Sequence, residues 1–175
     1  MSAPATDDEA LPPSLVAPGL YLGTAEHARC RCALHEYERP LDPSEGCVPI
    51  RAIINVSATE PNHFANANSA EAELDDDERS LCFQYHRCIP EDGEALVQAA
   101  CFAEQQLRAK RPVLVHEGAE QSGQASAVIA ALLVRQQWTA AEAVKAVHGR
   151  RPCASPSSAV LGSLGCAASS FSGGG

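Results

Sequence analysis

Short apolar runs alternate along this chain with segments whose apolar residues recur at helical spacing. The stretch LCFQY at residues 81–85 has the length of a strand. Aliphatic and β-branched runs of strand length occupy residues 50–56 and 112–115. Such runs are typical of strands covered on both faces of a sheet. Residues 96–109 and 140–147 carry one apolar face each, which predicts amphipathic helices. Residues 125–134 are apolar almost all the way round, which predicts a helix buried at the centre of a domain.

Strands that alternate with helices predict an α/β fold, a layered sandwich with a mainly parallel central sheet flanked by helices. An additional short strand is expected in the stretch 17–23, and Thr139 is placed to cap the helix that follows it. Right-handed crossovers put the loop after residues 112–115 at the carboxyl ends of the strands, where ligands bind in such folds.

The length of 175 residues suits a single domain, which we place at residues 14–164. Residues 1–13 are acidic and rich in Ala and Pro, which predicts a disordered tail. Residues 165–175 are rich in Ser, Gly and Ala and predict a flexible tail. Since aromatic residues make up only 5% of the chain while alanine is abundant, we expect a core of small aliphatic groups.

The formal net charge of −9 argues against nucleic acid and anionic membrane as partners. No apolar run approaches the roughly 20 residues needed to span a bilayer, and the N-terminus lacks a basic-then-apolar signal. These features predict a cytoplasmic protein, with the nucleus as the alternative compartment.

The eight cysteines form no C-x-x-C pair and, without a secretory signal, favour no disulfide framework. Cys30 and Cys32 lie near His27 and His35, but their spacing fits no standard zinc site. The sequence therefore predicts neither a metal nor a cofactor, and most of the thiols are interpreted as small buried hydrophobic groups.

The candidate chemistry lies in the short polar loop HEGAEQSGQ, residues 116–124, between the buried strand and the buried helix. A loop that leaves a strand and enters a helix presents free backbone N–H groups and the positive end of the helix dipole to one point. This arrangement predicts an anion pocket before any side chain is considered.

The stretch V-L-V-H, the polar loop and the apolar helix together resemble the signature of the cysteine-dependent dual-specificity phosphatases, V-H-C-x-x-G-x-S-R-S. Val115 and His116 match it, and Ser122 falls on the loop serine. The candidate phosphate loop consists of His116, Glu117, Gly118, Ala119, Glu120, Gln121, Ser122 and Gly123. In this resemblance the nucleophilic cysteine falls on Glu117, the phosphate-binding arginine on Gly123, the loop glycine on Glu120 and the following Ser or Thr on Gln124.

The resemblance extends over residues 18–164. The opening Tyr21-Leu22-Gly23, followed by a small helix near residues 24–34, is similar to the start of these domains, and Asn55-Val56-Ser57 is similar to the end of their second strand. The Arg151-Pro152 turn precedes a last helix expected near residues 158–164. By the same resemblance Asp92 falls on the general acid. The alternative is that Asp92 is an acid at a helix N-terminus or an exposed acid.

The replaced residues predict that ordinary phosphatase turnover is lost. The family mechanism needs a thiolate that attacks phosphorus and then leaves, and the Glu117 carboxylate is a far poorer nucleophile. Two unit charges about 4 Å apart repel by about 4 kcal/mol at an effective dielectric near 20, so this carboxylate also opposes a phosphate ligand. Gly123 cannot form the two parallel hydrogen bonds by which a guanidinium binds phosphate. It also lacks the positive charge that stabilises the transition state.

Two classes of function follow. The favoured one is a catalytically inactive pseudophosphatase that binds a protein partner, with a phosphoprotein or a kinase as the candidate classes. The alternative is an enzyme with residual or altered hydrolase activity that uses Asp92 and Glu117 as paired carboxylates.

The Glu117 carboxylate itself has two interpretations. In the first, it occupies the anion pocket as a built-in substitute for phosphate, stabilised by N–H donors at the start of the helix. In the second, the loop has drifted and the carboxylate points into water.

Overall fold

The computed structural model describes residues 13–30, 34, 49–64, 83–89, 93–118 and 123–150. Five strands of this part form one sheet in the order β1-β2-β5-β3-β4. They are β1 (Ser14–Ala17), β2 (Leu20–Thr24), β3 (Ala52–Asn55), β4 (Gln84–Arg87) and β5 (Val113–Glu117). Strand β1 pairs antiparallel with β2, and the other neighbours are parallel. The predicted α/β fold with a mainly parallel sheet is confirmed.

The helices of the described part are α1 (Ala25–Arg29), α2 (Gly93–Arg108), α3 (Gln124–Arg135) and α4 (Ala140–Arg150). The last three agree with the predicted helices to within three residues at each end. The strand predicted at residues 81–85 is observed at Gln84–Arg87, because the ladder with β3 begins where Ala52 pairs with Gln84. The last predicted helix, at residues 158–164, lies outside the described residues.

Strand residues alternate between two packed faces of the sheet. On β5, Val113 and Val115 pack with α2, α3 and α4, while Leu114 faces the opposite side with Ile53 and Phe83. The first face is rich in alanine, as the composition predicted. The second face also contains aromatic groups, with the rings of Phe64 and Phe83 stacked at 4.7 Å between centroids. Helix α3 is buried on all sides from residue 125 to residue 133 because it lies between α2, α4 and the sheet.

The start of α4 is fixed by a reciprocal capping contact. The backbone N–H of Glu142 donates to the Thr139 hydroxyl at 3.3 Å. In return, the Glu142 carboxylate accepts from the backbone N–H of Thr139 at 3.0 Å and from its hydroxyl at 2.6 Å. These bonds satisfy donors that the first turn of the helix leaves free, and they confirm Thr139 as the predicted cap.

The four parallel strands end at one edge of the sheet, with Thr24, Asn55, Arg87 and Glu117 as their last residues. Thr24 is in register with Glu117, and Asn55 is in register with His116. This edge is where the sequence placed the candidate loop. Among the residues described, no helix has the length and apolar character to cross a membrane. Residues 1–12 and 165–175 lie outside the described ranges, so the domain boundaries at 14 and 164 stay predictions.

Candidate functional site

Glu117 is the last residue of β5, and its side chain is buried, with 5% of the residue exposed. The interpretation in which this carboxylate points into water is therefore wrong. Burying an ionised carboxylate is costly unless neighbouring groups compensate the charge. Burial is one requirement of the first interpretation, which stays a prediction because residues 119–122 of the loop lie outside the described ranges.

Gly118 follows at the point where the candidate loop leaves the sheet, and the loop after β3 lies directly against it. A Cβ atom on Gly118 would lie 2.9 Å from the Ser57 hydroxyl oxygen. That hydroxyl accepts from the backbone N–H groups of Thr59 at 3.2 Å and Glu60 at 3.1 Å, so its position is fixed. Glycine is required here because the two loops approach each other too closely for a side chain.

The loop after β3 is held by side chains at the ends of two strands. From β4, one guanidinium nitrogen of Arg87 donates to the carbonyl oxygens of Ser57, Ala58 and Glu60, each at 2.9 Å. From β3, the side-chain amide of Asn55 donates to the Glu60 carbonyl at 2.9 Å. These bonds connect residues up to 30 positions apart, and no local sequence signal identified Arg87 as the residue that holds this loop.

An ion pair lies beside the same loop. The Nη2 atom of Arg29, at the end of α1, contacts both carboxylate oxygens of Glu60 at 2.8 Å. The Arg29 side chain is 50% exposed, whereas that of Glu60 is 16% exposed. The hydrogen bond lowers the pKa of Glu60 and raises the pKa of Arg29. His63 Nε2 lies 3.6 Å from the same carboxylate. Sequence reasoning missed this pair because its two members are 31 residues apart.

His116 is a buried histidine on β5, with 1% of the residue exposed. Burial lowers its pKa to about 4, and the charges of His63 and Arg29 act in the same direction. The nearby backbone of Glu117 and the carboxylate of Glu60 oppose this shift. Neither ring nitrogen makes a hydrogen bond of good geometry with the described part of the chain. His116 is therefore neutral at pH 7.

Gly123 is the N-cap residue of α3 and has a left-handed backbone conformation, with φ 75° and ψ 8°. Glycine adopts this conformation without steric cost, whereas a residue with a Cβ atom is strained there. By the resemblance this is the position of the phosphate-binding arginine. The chain therefore lacks a guanidinium here, and its local backbone also disfavours one.

The described residues bring His116, Glu117 and Gly118 to one edge of the sheet and place Gly123 at the start of α3. Ala119, Glu120, Gln121, Ser122 and the candidate general acid Asp92 lie outside the described ranges, so their roles stay predictions. Within the described residues, no group of three His, Cys, Asp or Glu side chains is arranged to hold a metal ion.

The cysteines that the structure describes differ in environment. Cys88 is buried, Cys101 is half-buried and Cys30 is exposed at the end of α1. Cys88 therefore fits the interpretation of most thiols as buried hydrophobic groups, and Cys30 does not. His27, which the sequence placed near Cys30, accepts a hydrogen bond from the backbone N–H of Thr24 at 2.9 Å through its Nδ1 atom.

Solved structures decide the fold. A variant of human DUSP28 is 23% identical, with a TM-score of 0.70 over 94% of this chain and 99% of that one. A mouse protein described as a dual specificity phosphatase, complexed with zinc tungstate, is 20% identical, with a TM-score of 0.70 over 98% and 96% of the two chains. The chain has the dual-specificity phosphatase fold. The resemblance noted in the sequence is confirmed at this level.

A third similar structure is the human tyrosine phosphatase-like serine/threonine/tyrosine-interacting protein. It is 19% identical, with a TM-score of 0.61 over 91% of this chain and 97% of that one. No family model and no curated protein sequence matches the chain. At these identities the likeness establishes the dual-specificity phosphatase fold, and the function has to be argued from the site.

Proposed function

We propose that this protein is a catalytically inactive pseudophosphatase that acts as a protein-binding or regulatory module in phosphorylation signalling. The observation that carries the proposal is Glu117, which is buried at the end of β5. By the resemblance, the dual-specificity phosphatases have their nucleophilic thiolate at this position. The chain therefore has an acid at the centre of the fold's phosphate site.

Because of this acid, the site fails to meet two requirements of the reaction. A carboxylate is a far poorer nucleophile than a thiolate toward a phosphate dianion. Its negative charge also lies where the charge of the substrate would have to enter. Repulsion of about 4 kcal/mol for unit charges about 4 Å apart corresponds to a loss of roughly a thousandfold in affinity.

The positive charge that the reaction needs is also missing from its usual place. Gly123 caps the start of α3 and has no side chain. No positive group at this position can therefore stabilise the charge that develops in the transition state. Arg29 lies beside the loop after β3, and Glu60 binds it with both carboxylate oxygens. The other guanidinium at this loop, that of Arg87, is engaged by three backbone carbonyl oxygens. The described part of the site therefore holds a guanidinium whose charge is already compensated.

A binding role agrees with one of the similar structures, whose name describes a tyrosine phosphatase-like protein that interacts with serine, threonine and tyrosine. We infer a protein partner, with a phosphoprotein or a kinase as the candidate classes. The net charge of −9 disfavours nucleic acid and anionic membrane surfaces. We place this function in the cytoplasm, with the nucleus as the alternative.

Hydrolysis of an aryl phosphate tests the proposal against the alternative of a carboxylate-based hydrolase. The purified chain should give no turnover above buffer under conditions in which an active dual-specificity phosphatase turns over readily. The control variant is Asp92→Asn, which removes the only general acid that the resemblance suggests. Turnover by the wild type that this variant abolishes would overturn the proposal in favour of an enzyme that uses Asp92 and Glu117.

A further inference from the structure

The guanidinium of Arg29 lies near the candidate phosphate loop, although the resemblance does not predict it. Arg29 ends α1, the helix that follows β2 directly, and the last residue of β2 is in register with Glu117. Half of the Arg29 side chain is accessible to solvent.

Glu60 holds that guanidinium against the candidate loop. Its Cγ atom lies 3.6 Å from the position of a Cβ atom on Gly118, so the ion pair borders the residue after Glu117. The backbone of Glu60 is fixed by Arg87 and Asn55, which both donate to its carbonyl oxygen at 2.9 Å. The strand ends therefore present the Glu60 carboxylate to Arg29.

The chemistry of this pair is that of an occupied anion site. A guanidinium binds carboxylate and phosphate oxygens with the same type of charge-assisted hydrogen bond. A phosphate monoester offers three acceptor oxygens and up to two charges, whereas Glu60 offers two oxygens and one charge. A phosphate group that reaches this edge therefore competes with Glu60 for Arg29.

We propose that Arg29 has taken the place of the missing loop arginine as the anion-binding cation at this edge of the sheet, and that Glu60 is an internal competitor that keeps it occupied. The ligand class is a phosphate monoester dianion, such as the phosphorylated side chain of a peptide. This inference rests on the proposed binding function. In the resting protein the Arg29–Glu60 pair keeps the affinity for phosphate low, and a ligand binds by displacing the carboxylate.

The test is titration of the full chain with inorganic phosphate, followed by NMR or calorimetry. Glu60→Gln keeps the shape of the side chain but removes its charge, and it should bind phosphate at least tenfold more tightly than the wild type. Adding Arg29→Ala to that variant should abolish the gain, whereas adding Arg29→Lys should keep part of it. Glu117 is present in every variant, so the comparison isolates the ion pair.

Glu104 offers a matched control away from this edge of the sheet. It pairs with Arg135 at 2.6 Å and with Arg108 at 2.8 Å, so Glu104→Gln also releases arginine from a close ion pair. This variant should bind phosphate no better than the wild type. An equal gain in both variants would overturn the proposal, because any released arginine would then suffice.

Two further results bear on the ligand. A phosphotyrosine peptide that binds Glu60→Gln at least tenfold more tightly than inorganic phosphate supports a protein source, and equal affinities contradict one. If Glu60→Gln does not fold, Glu60→Asp, which lengthens the contact with Arg29, should show a smaller gain. A folded Glu60 variant with no gain overturns the inference. It leaves the proposed lack of turnover untouched, because that depends on Glu117 and Gly123.

Discussion

At the scale of single residues, the proposed function depends on Glu117, an acid at the position where the resemblance places a nucleophile. Glu117 is buried at the carboxyl end of β5, and the histidine before it is buried and neutral. Together they show that the strand keeps its packing up to its last residue. The strand that carries the candidate site is therefore packed as far as Glu117, and the proposed loss of chemistry does not require a disturbed strand.

If the Glu117 carboxylate substitutes for phosphate in the anion pocket, removing its charge should destabilise the protein. We expect Glu117→Gln to lower the free energy of unfolding by about 0.3–2 kcal/mol, the range for an anion near a helix N-terminus. Chemical denaturation at pH 7 measures the change. Glu94→Gln, which removes an exposed acid from the first turn of α2, measures the ordinary solvent-screened contribution and should lower stability by about 0.3–0.5 kcal/mol. An unchanged or higher stability of Glu117→Gln would contradict the interpretation.

Burial of His116 predicts a pH dependence of stability. Its pKa is about 4 in the folded protein and near 6.5 in the unfolded chain, so the unfolded state binds the proton first. Stability should therefore fall as the pH drops from about 6.5 to 4, by about 2–3 kcal/mol from this residue. Protonation of Glu60, which would break its ion pair with Arg29, lowers stability only at a more acidic pH, because the pKa of Glu60 lies below its usual 4.5.

Denaturation of the wild type and His116→Gln between pH 7 and pH 4.5 checks this prediction. The variant should lose less stability than the wild type across that range, whatever its absolute stability at pH 7. Equal losses in the two proteins would mean that His116 does not control the dependence.

The sequence was sufficient to place Glu117 after a buried strand and Gly123 before a buried helix, because that strand and that helix have clear apolar patterns. It could not show that Glu117 is buried, since the polar loop around it has no periodicity that assigns a direction to its side chains. The Arg29–Glu60 pair was missed for a different reason. It joins α1 to the loop after β3, and only the parallel pairing of distant strands brings these segments together.

At the scale of elements, the site is built by two loops that leave neighbouring parallel strands. The loop after β3 is fixed by Asn55 and Arg87, and it lies against Gly118 at the start of the candidate loop. The strands and the three long helices were predictable because burial imposes a period on them. The loop contacts were not, because they depend on hydrogen bonds between side chains and distant carbonyl groups.

The close contact between Gly118 and Ser57 predicts that a single added methyl group at position 118 lowers the stability of the fold strongly. In Gly118→Ala the Cβ atom would lie 2.9 Å from the Ser57 hydroxyl, whose hydrogen bonds resist movement. We expect a loss of about 1–3 kcal/mol in the free energy of unfolding. Gly149→Ala is the matched control, because a Cβ atom there has no neighbour within 4 Å. It should stabilise α4 by about 0.5–1 kcal/mol. Similar effects at the two positions would rule out the close packing of the loops.

At the scale of the whole molecule, the chain has the dual-specificity phosphatase fold at identities of 23% or less to the similar structures cited above. The fold was predictable from the order of strands and helices and from a few motifs at strand ends. The proposed lack of turnover is separable from that fold, because it rests on Glu117 and Gly123 in one loop. We therefore expect the combined substitutions Glu117→Cys and Gly123→Arg to give the protein phosphatase activity.

The most direct measurement is hydrolysis of an aryl phosphate by the wild type and by the double variant Glu117→Cys with Gly123→Arg. The arginine enters a left-handed backbone position, so we expect the variant to be about 1–2 kcal/mol less stable. Folding of each protein is therefore checked by circular dichroism. The account predicts no turnover by the wild type or either single variant and measurable turnover by the folded double variant. Turnover by the wild type, or none by a folded double variant, would contradict it.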